Sequence, residues 1–354
     1  MISLFYRFYP FVLLVYCCST TLLFGKGASL SELELAKIVT RQEKLLKDGK
    51  NWTETALTTE AQEIVTRYEN FLLDNPSDLN GYLLFGKFLA QTGQAEGALE
   101  LFLQADRINP NIAVTKQYIG NFLVENGKPL EAFPFLLMTT RLAPTEPVYH
   151  YDLGNFIFLF KEQLEGIEDH NKLSILMHEC FKEAAALNPK NFDYHLRFAQ
   201  SFFDFNNSMH NEAIAAWDVL LNEFGKRTKD EIDYIKISKA RLLLDMNKKG
   251  DALSILKTIQ SKVIQKEKNA LIKKARGIDG GSSNKNSFNS LSYPSSSKLH
   301  LSYTFPLDPH ILRMKQVTLK LFQENMLNDL KRDVIQARIL ENGSLSLELS
   351  SKQK

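Results

Sequence analysis

Apolar positions along most of the chain recur at steps of three and four residues, which places them on one face of an α-helix. Residues 30–48 and 58–74 both show this spacing and are joined by a polar stretch around Asn51. They predict a degenerate first helix pair within 29–78. The same spacing continues through 79–276, so the chain is expected to be helical over most of its length.

The helical pattern also repeats with a fixed period. Positions 34 residues apart carry the same residue type, namely Gly86, Gly120 and Gly154, then Ala98 and Ala132, then Pro110 and Pro144. A period of this length is typical of stacked helix pairs, in which each pair buries its apolar face only against its neighbours. The sequence therefore predicts an all-α solenoid.

Residues 79–112 resemble the tetratricopeptide repeat (TPR), whose pattern is large, Leu-like, Gly, large, Ala, aromatic, Ala and Pro. The eight positions are filled by Tyr82, Phe85, Gly86, Leu89, Ala98, Phe102, Ala105 and Pro110. The resemblance covers 79–220 well and 30–260 loosely. It implies a right-handed superhelix of helix-turn-helix repeats, in which small residues such as Gly86 and Ala98 allow the two helices to cross closely.

The second unit, 113–146, departs from the repeat pattern at Lys116 and Thr139. Pro129 fits the first turn of its second helix. Pro134 follows about one turn later and is expected to kink or delay that helix.

The third unit keeps Gly154, Ala184 and Pro189 but is 11 residues longer than the period. We expect the surplus in the turn between its helices, from Lys161 to Lys172, because repeat arrays tolerate insertions there. A fourth and a weaker fifth unit follow.

Residues 261–276 predict a basic helix that caps the array, and an anionic partner such as lipid or nucleic acid is the alternative role for it. Residues 277–300 are rich in Ser, Gly and Asn and predict a flexible linker. The tail, 301–354, predicts an amphipathic helix over 309–340 and a short strand at 342–349. Two placements of the tail helix stay open, one inside the groove of the array and one beside the last repeat.

The resemblance implies that the first helix of each repeat lines a concave groove for a peptide or protein. Its repeat-defining positions here are Gly86, Ala98, Pro110, Gly120, Ala132, Pro144, Gly154, Ala184 and Pro189. The corresponding groove residues are Leu83, Lys87, Gln117, Asn121, Tyr151, Asn155, Phe158, Gln200 and Phe203.

Asn121 and Asn155 resemble part of a clamp that some family members use for a C-terminal carboxylate. That clamp also needs cations in the next unit, where Leu196 and Gln200 stand. We therefore expect a mixed polar and apolar groove, which suits an extended or helical peptide.

The first 28 residues differ from the rest of the chain. Arg7 is the only charge before Lys26, residues 8–24 are apolar or neutral, and small residues follow. This pattern predicts a secretory signal peptide, with a retained membrane anchor or a buried soluble helix as alternatives. The chain is accordingly expected to be exported (periplasmic or extracellular) or anchored to a membrane through 8–24.

Composition adds little that points to chemistry. The net charge of +2 gives no reason to expect nucleic acid as a partner, and three cysteines cannot make a disulfide framework. His178, Glu179 and Cys180 are adjacent, so on a helix they point about 100° apart and cannot converge on one ion. We expect no catalytic residues, metal, cofactor or small-molecule ligand.

The sequence as a whole predicts an exported or anchored, non-catalytic scaffold that binds a protein or peptide partner. An envelope assembly factor for an outer-membrane, secretion or polysaccharide-export complex is the alternative. An enzyme-associated protein or a purely structural spacer is the alternative of another class.

Overall fold

The computed structural model describes residues 29–204, 209–277, 308–324 and 332–351. Within them the chain forms fourteen α-helices and one antiparallel pair of strands. The helices are α1 (Leu30–Asp48), α2 (Glu54–Asp74), α3 (Leu79–Gln91), α4 (Ala95–Ile108), α5 (Ala113–Glu125), α6 (Pro129–Leu142), α7 (Pro147–Leu164), α8 (His170–Leu187), α9 (Phe192–Ser201), α10 (His210–Glu223), α11 (Lys229–Asp245), α12 (Lys249–Thr258), α13 (Gln265–Arg276) and α14 (Asp308–Glu324). The strands are β1 (Arg332–Ile339) and β2 (Leu345–Ser351).

These elements belong to two compact units. Unit 1 contains α1 to α3 and both strands, and unit 2 contains α4 to α14. Within each unit, helices that follow one another in sequence pack together, as α1 does with α2, α5 with α6, α7 with α8, and α11 with α12. The predicted all-α array of stacked helix-turn-helix repeats is confirmed, with the strand pair as an addition at its end.

The helix ends follow from local chemistry. Ser29 and Glu32 form a capping box at the start of α1, which satisfies backbone amides that a helix start leaves unpaired. The turns after α3 and α5 contain Gly93 and Gly127 at φ 83° and 68°, a conformation that favours glycine. Asn247 adopts the same left-handed conformation after α11, at φ 60°. These turns let the second helix of each pair fold back on the first.

Lys116 departs from the repeat pattern because it makes a buried ion pair. Its Nζ lies 2.6 Å from Oδ1 of Asp106 on α4, and both side chains are buried. Thr115 Oγ1 donates a hydrogen bond to the same carboxylate at 3.2 Å. Thr139, the other departure, donates to the carbonyl of Leu136 at 2.7 Å. Both polar residues are thus satisfied inside unit 2.

Two expectations about the second helices need correction. Helix α6 begins at Pro129 as predicted, but it runs through Pro134 to Leu142 without delay, since a proline near the start removes only one internal hydrogen bond. The surplus of the third unit does not form a long turn. Helices α7 and α8 have 18 residues each, against 13 and 14 in α5 and α6, so most of the surplus lengthens the helices.

The amphipathic tail helix is shorter than predicted and lies elsewhere. It is α14, which ends at Glu324 instead of continuing to residue 340, and it packs against α6 and α4. Its buried face consists of His310, Met314, Val317 and Leu321. Because α4 and α6 are second helices of repeats, the described part of α14 neither fills the predicted groove nor lies beside the last repeat.

The strands β1 and β2 account for the remaining difference. Residues 332–339 alternate in burial and pair antiparallel with β2 across a turn at Gly343, whose φ is 81°. The predicted strand near the end of the chain is confirmed as β2. The other edge of β1 bonds to side chains of α2, since the amides of Val334 and Ala337 donate to Gln62 Oε1 and Thr58 Oγ1 at 2.5 and 2.9 Å. The strand edge is thereby covered.

Capping of the array by a basic helix is present as α13, which packs against α11 and α12. Lys268 donates to the carbonyl of Ile259 at 2.6 Å, and Lys274 pairs with Asp245 at 2.9 Å. The linker predicted at 277–300 lies outside the described residues except for Gly277, as do residues 1–28.

Candidate functional site

The repeat register that underlies the groove prediction agrees with the packing. A Cβ atom added to Gly120 would lie 2.8 Å from Cδ2 of Leu136, and one added to Gly154 would lie 2.7 Å from the Phe181 ring. Gly86, Ala98, Ala132 and Ala184 are buried, and Pro110, Pro144 and Pro189 each follow the end of a second helix. The first helices therefore face the way the register predicts.

The term first-helix face is used here for the side of α5, α7, α9 and α11 in unit 2 that carries the predicted groove residues. Seven of these residues belong to unit 2 and lie on α5, α7 and the segment from α9 to Asp204, namely Gln117, Asn121, Tyr151, Asn155, Phe158, Gln200 and Phe203. Leu83 and Lys87 lie on α3 in unit 1, where both are half-buried.

Polar side chains join successive first helices across this face. Gln117 Nε2 of α5 donates to Asp152 Oδ2 of α7 at 2.7 Å. Gln200 Nε2 of α9 donates to the hydroxyl of Tyr234 on α11 at 2.9 Å. Between them, Arg197 on α9 bonds back to Asn155 on α7. Several predicted groove residues are therefore held in place by bonds to the neighbouring repeat.

Arg197 is the main residue that the sequence reasoning missed. Its Nε donates to Asn155 Oδ1 at 2.9 Å, and its Nη1 donates to Gln200 Oε1 at 3.2 Å. The guanidinium also lies over the rings of Phe158 and Phe181, 4.2 and 4.9 Å from their centroids. The expectation that this column lacks a cation because Leu196 and Gln200 occupy it was wrong. The residue beside Leu196 supplies the cation.

Asn155 and Phe158 present two different groups next to Arg197. The amide nitrogen Nδ2 of Asn155 is buried and has no hydrogen-bond partner within the described residues. The Phe158 side chain is 50% exposed, which is high for a phenylalanine. An unpaired buried donor costs free energy, so a ligand that accepts a hydrogen bond here would be stabilised.

Phe203 and Tyr151 are engaged with other rings. Phe203 lies 5.9 Å from Trp217 and below the guanidinium of Arg241, at 4.8 Å. Tyr151 lies 4.6 Å from the ring of Tyr194 on α9. Phe203 is therefore part of the core beside α10, whereas Tyr151 belongs to an aromatic group on the first-helix face.

The same face carries an acid with a perturbed pKa. Burial raises the pKa of Asp152 to about 6, and the hydrogen bond from Gln117 opposes this rise. Burial also raises the pKa of Tyr149 and of Tyr194 to about 12, and the charge of Asp152 adds to both shifts. Asp152 is the residue after a predicted groove position, as Arg197 is, so a one-residue widening of each column would have found both.

The His178-Glu179-Cys180 segment is buried in α8. His178 Nδ1 lies 2.8 Å from Ser201 Oγ, and burial lowers the pKa of His178 to about 3. Burial also raises the pKa of the Cys180 thiol. In the described part of the chain, no three His, Cys, Asp or Glu side chains are grouped so that they could hold a metal ion.

No helix among the described residues is both long and apolar enough to cross a membrane. Residues 8–24, on which the predicted signal peptide or anchor rests, are not among them.

No family model matches the chain, and no curated protein matches it. Solved structures do resemble it. YrrB, described as a TPR protein with an unusual peptide-binding site, is 16% identical with a TM-score of 0.44, over 60% of this chain and 96% of that one. PilF of Pseudomonas aeruginosa is 17% identical with a TM-score of 0.45, over 68% and 97%.

A third similar structure is the C-terminal part of a TPR repeat-containing protein from Cytophaga hutchinsonii. It is 17% identical with a TM-score of 0.47, and covers 68% of this chain and 95% of that one. Scores of this size carry no argument about function. The assignment of the fold rests on the helix pairs and on the repeat positions in the chain itself.

Proposed function

We propose that this chain, which has the tetratricopeptide-repeat fold, is a non-catalytic scaffold that binds a protein or peptide partner on the first-helix face of unit 2. The observation that carries the proposal is the buried amide nitrogen of Asn155, which has no partner in the described residues and lies in a side chain bonded to Arg197. A partner carbonyl or carboxylate oxygen would accept its hydrogen bond.

Apolar burial would supply most of the remaining affinity. Phe158 is exposed beside Arg197, so a partner's apolar side chain that covers it removes apolar surface from water. Tyr151 adds an aromatic surface one helical turn before Asn155, on the same helix. An extended or helical peptide lying across α5, α7 and α9 would meet these groups in order.

The test uses a matched pair of exposed residues on α7. Phe158 and Leu159 are 50% and 63% exposed, and neighbouring residues on a helix point about 100° apart. The tagged chain is crosslinked in its own cells, purified, and analysed by quantitative mass spectrometry as wild type, Phe158→Ala and Leu159→Ala. We expect Phe158→Ala to lower recovery of a partner about tenfold and Leu159→Ala to leave it unchanged. Equal recovery with both variants would contradict the proposal.

Export or membrane anchoring through residues 8–24 is part of the same proposal. Its support is the basic start, the apolar stretch and the small residues that follow it. The partner would then be a protein of the cell envelope or of the exterior, and assembly of an envelope complex is the narrower version of the role. Cell fractionation with mass spectrometry of the N-terminal peptide tests it. A chain that retains Met1 and stays in the cytosolic fraction would overturn it.

A further inference from the structure

We infer that the first-helix face selects a basic side chain of its partner, lysine or arginine, and receives it at Asp152 between the rings of Tyr149 and Tyr194. This inference rests on the proposed function, because it names the partner's chemistry at the same face. It goes beyond that function by specifying the sign of the charge and the place where it binds.

The first step is the state of Asp152. One of its oxygens accepts a hydrogen bond from Gln117 Nε2 at 2.7 Å. No lysine, arginine or histidine in the described ranges lies within ion-pair distance of Asp152. The side chain is half-buried, and its desolvation is the main cause of the raised pKa, which remains about 6. A carboxylate that is desolvated and still has free acceptor sites is stabilised when a cation binds beside it.

The second step is the aromatic surroundings. Tyr149 lies three residues before Asp152 on α7, and Tyr194 lies on α9. The charge of Asp152 acts on both hydroxyl groups, which places both tyrosines close to the carboxylate. Tyr151 extends the group, since its ring centroid is 4.6 Å from that of Tyr194. Aromatic rings attract lysine and arginine side chains through their faces.

The third step is the sign of the neighbouring charges. Glu146 and Asp193 also raise the pKa values of Tyr149 and Tyr194, so the other charges acting on these tyrosines are negative. Two histidines are near in sequence, on α7 and on α9. Both bond through Nε2 to the carbonyl of a preceding proline, and burial lowers their pKa values, so they stay uncharged at neutral pH.

The fourth step is the spacing between unlike sites. Arg197 is bonded to Asn155, which lies three residues after Asp152 on α7, about 4.5 Å along the helix axis. The face therefore offers an acid with aromatic rings at one position and a hydrogen-bond donor next to a guanidinium one turn away. A partner segment with a basic residue close to a free carbonyl or carboxylate group fits both.

The experiment uses a phage-displayed library of random dodecapeptides as the probe, panned on the full chain. The variants are Asp152→Asn, which keeps an oxygen for Gln117, and Tyr194→Leu as a second change at the site. The control is Asp74→Asn, which removes the same charge from an exposed position at the end of α2. Circular dichroism and thermal unfolding of each variant check that it is folded.

We expect the wild type and the Asp74→Asn control to enrich peptides with lysine or arginine at one fixed position. Asp152→Asn should still enrich peptides but lose this preference. For one enriched peptide, replacing the basic residue by methionine should weaken binding to the wild type about tenfold and leave binding to Asp152→Asn nearly unchanged. Lowering the pH from 7 to 5 protonates Asp152 and should weaken wild-type binding by up to about tenfold.

Failure of the inference and failure of the proposed function give different results. If the wild type enriches peptides without a basic position, or Asp152→Asn keeps the preference, the inference is overturned and the proposed function stands. If no peptide is enriched, or Phe158→Ala binds every enriched peptide as well as the wild type does, both are overturned.

Discussion

Replacing Asp152 by asparagine is expected to stabilise unit 2 at neutral pH while impairing its binding. The pKa of Asp152 in the folded chain is about 6, against a reference value of 3.8, because burial disfavours the ionised form. A difference of about two pKa units corresponds to about 3 kcal/mol, at roughly 1.4 kcal/mol per unit. Since Asp152 is only half-buried by surface exposure, we expect a gain of about 2 kcal/mol.

The sign and the pH window follow from the direction of the shift. The folded state holds the proton more tightly than the unfolded state does, so folding is most favourable below pH 3.8 in this respect. That contribution is lost as the pH rises from about 4 to above 6. Asparagine resembles the protonated acid and does not titrate. The difference between variant and wild type should therefore be near zero at pH 3.5 and reach its full value above pH 6.5.

The assay is urea unfolding of both chains at pH 3.5, 5, 6 and 7.5, together with hydrogen exchange of the α7 amides, because repeat arrays can unfold in parts. Asp74→Asn is the control and should differ from the wild type by less than about 0.5 kcal/mol at each pH. A stability difference for Asp152→Asn that does not change with pH, or a loss of stability at pH 7.5, would refute the reasoning.

Two further predictions concern packing inside unit 2, and urea midpoints check both. Gly154→Ala should destabilise the chain by about 1–3 kcal/mol, because the new methyl group would lie 2.7 Å from the Phe181 ring. Gly250→Ala in α12 has open space at the same atom and should stabilise by up to about 1 kcal/mol, so equal effects would contradict the packing argument. Lys116→Met should cost about 3–5 kcal/mol by leaving Asp106 buried without its cation, and adding Asp106→Leu should recover most of the loss.

Much of the fold could be predicted from sequence because each repeat is a local structure. The spacing of Gly120 and Gly154 reflects close helix contacts inside one repeat, and residues 34 apart face equivalent neighbours. The tail was harder to predict. Residues 332–339 alternate as a strand should, but their pairing depends on β2 and on α2, which is more than 250 residues away in sequence.

The candidate site was predicted in part, for a similar reason. The columns that contain Gln117 and Asn155 are correct in register, but their bonding partners Asp152 and Arg197 lie one residue beside the predicted columns. A side chain as long as arginine reaches back to the previous helix from such a position. The one-dimensional register gives the direction of a Cβ atom and not the reach of the side chain, so Arg197 could not be assigned from spacing alone.

The sheet in unit 1 has a consequence for the order in which the protein is made. Helix α2 is among the first parts of the chain to leave the ribosome, whereas β1 and β2 are among the last. The amide of Val334 bonds to Gln62 across 272 positions, a separation far beyond the local contacts of a repeat. Unit 1 therefore cannot reach its native state while translation continues. The α2 surface that accepts β1 stays open during synthesis, and a factor that shields it then would act before any finished molecule exists.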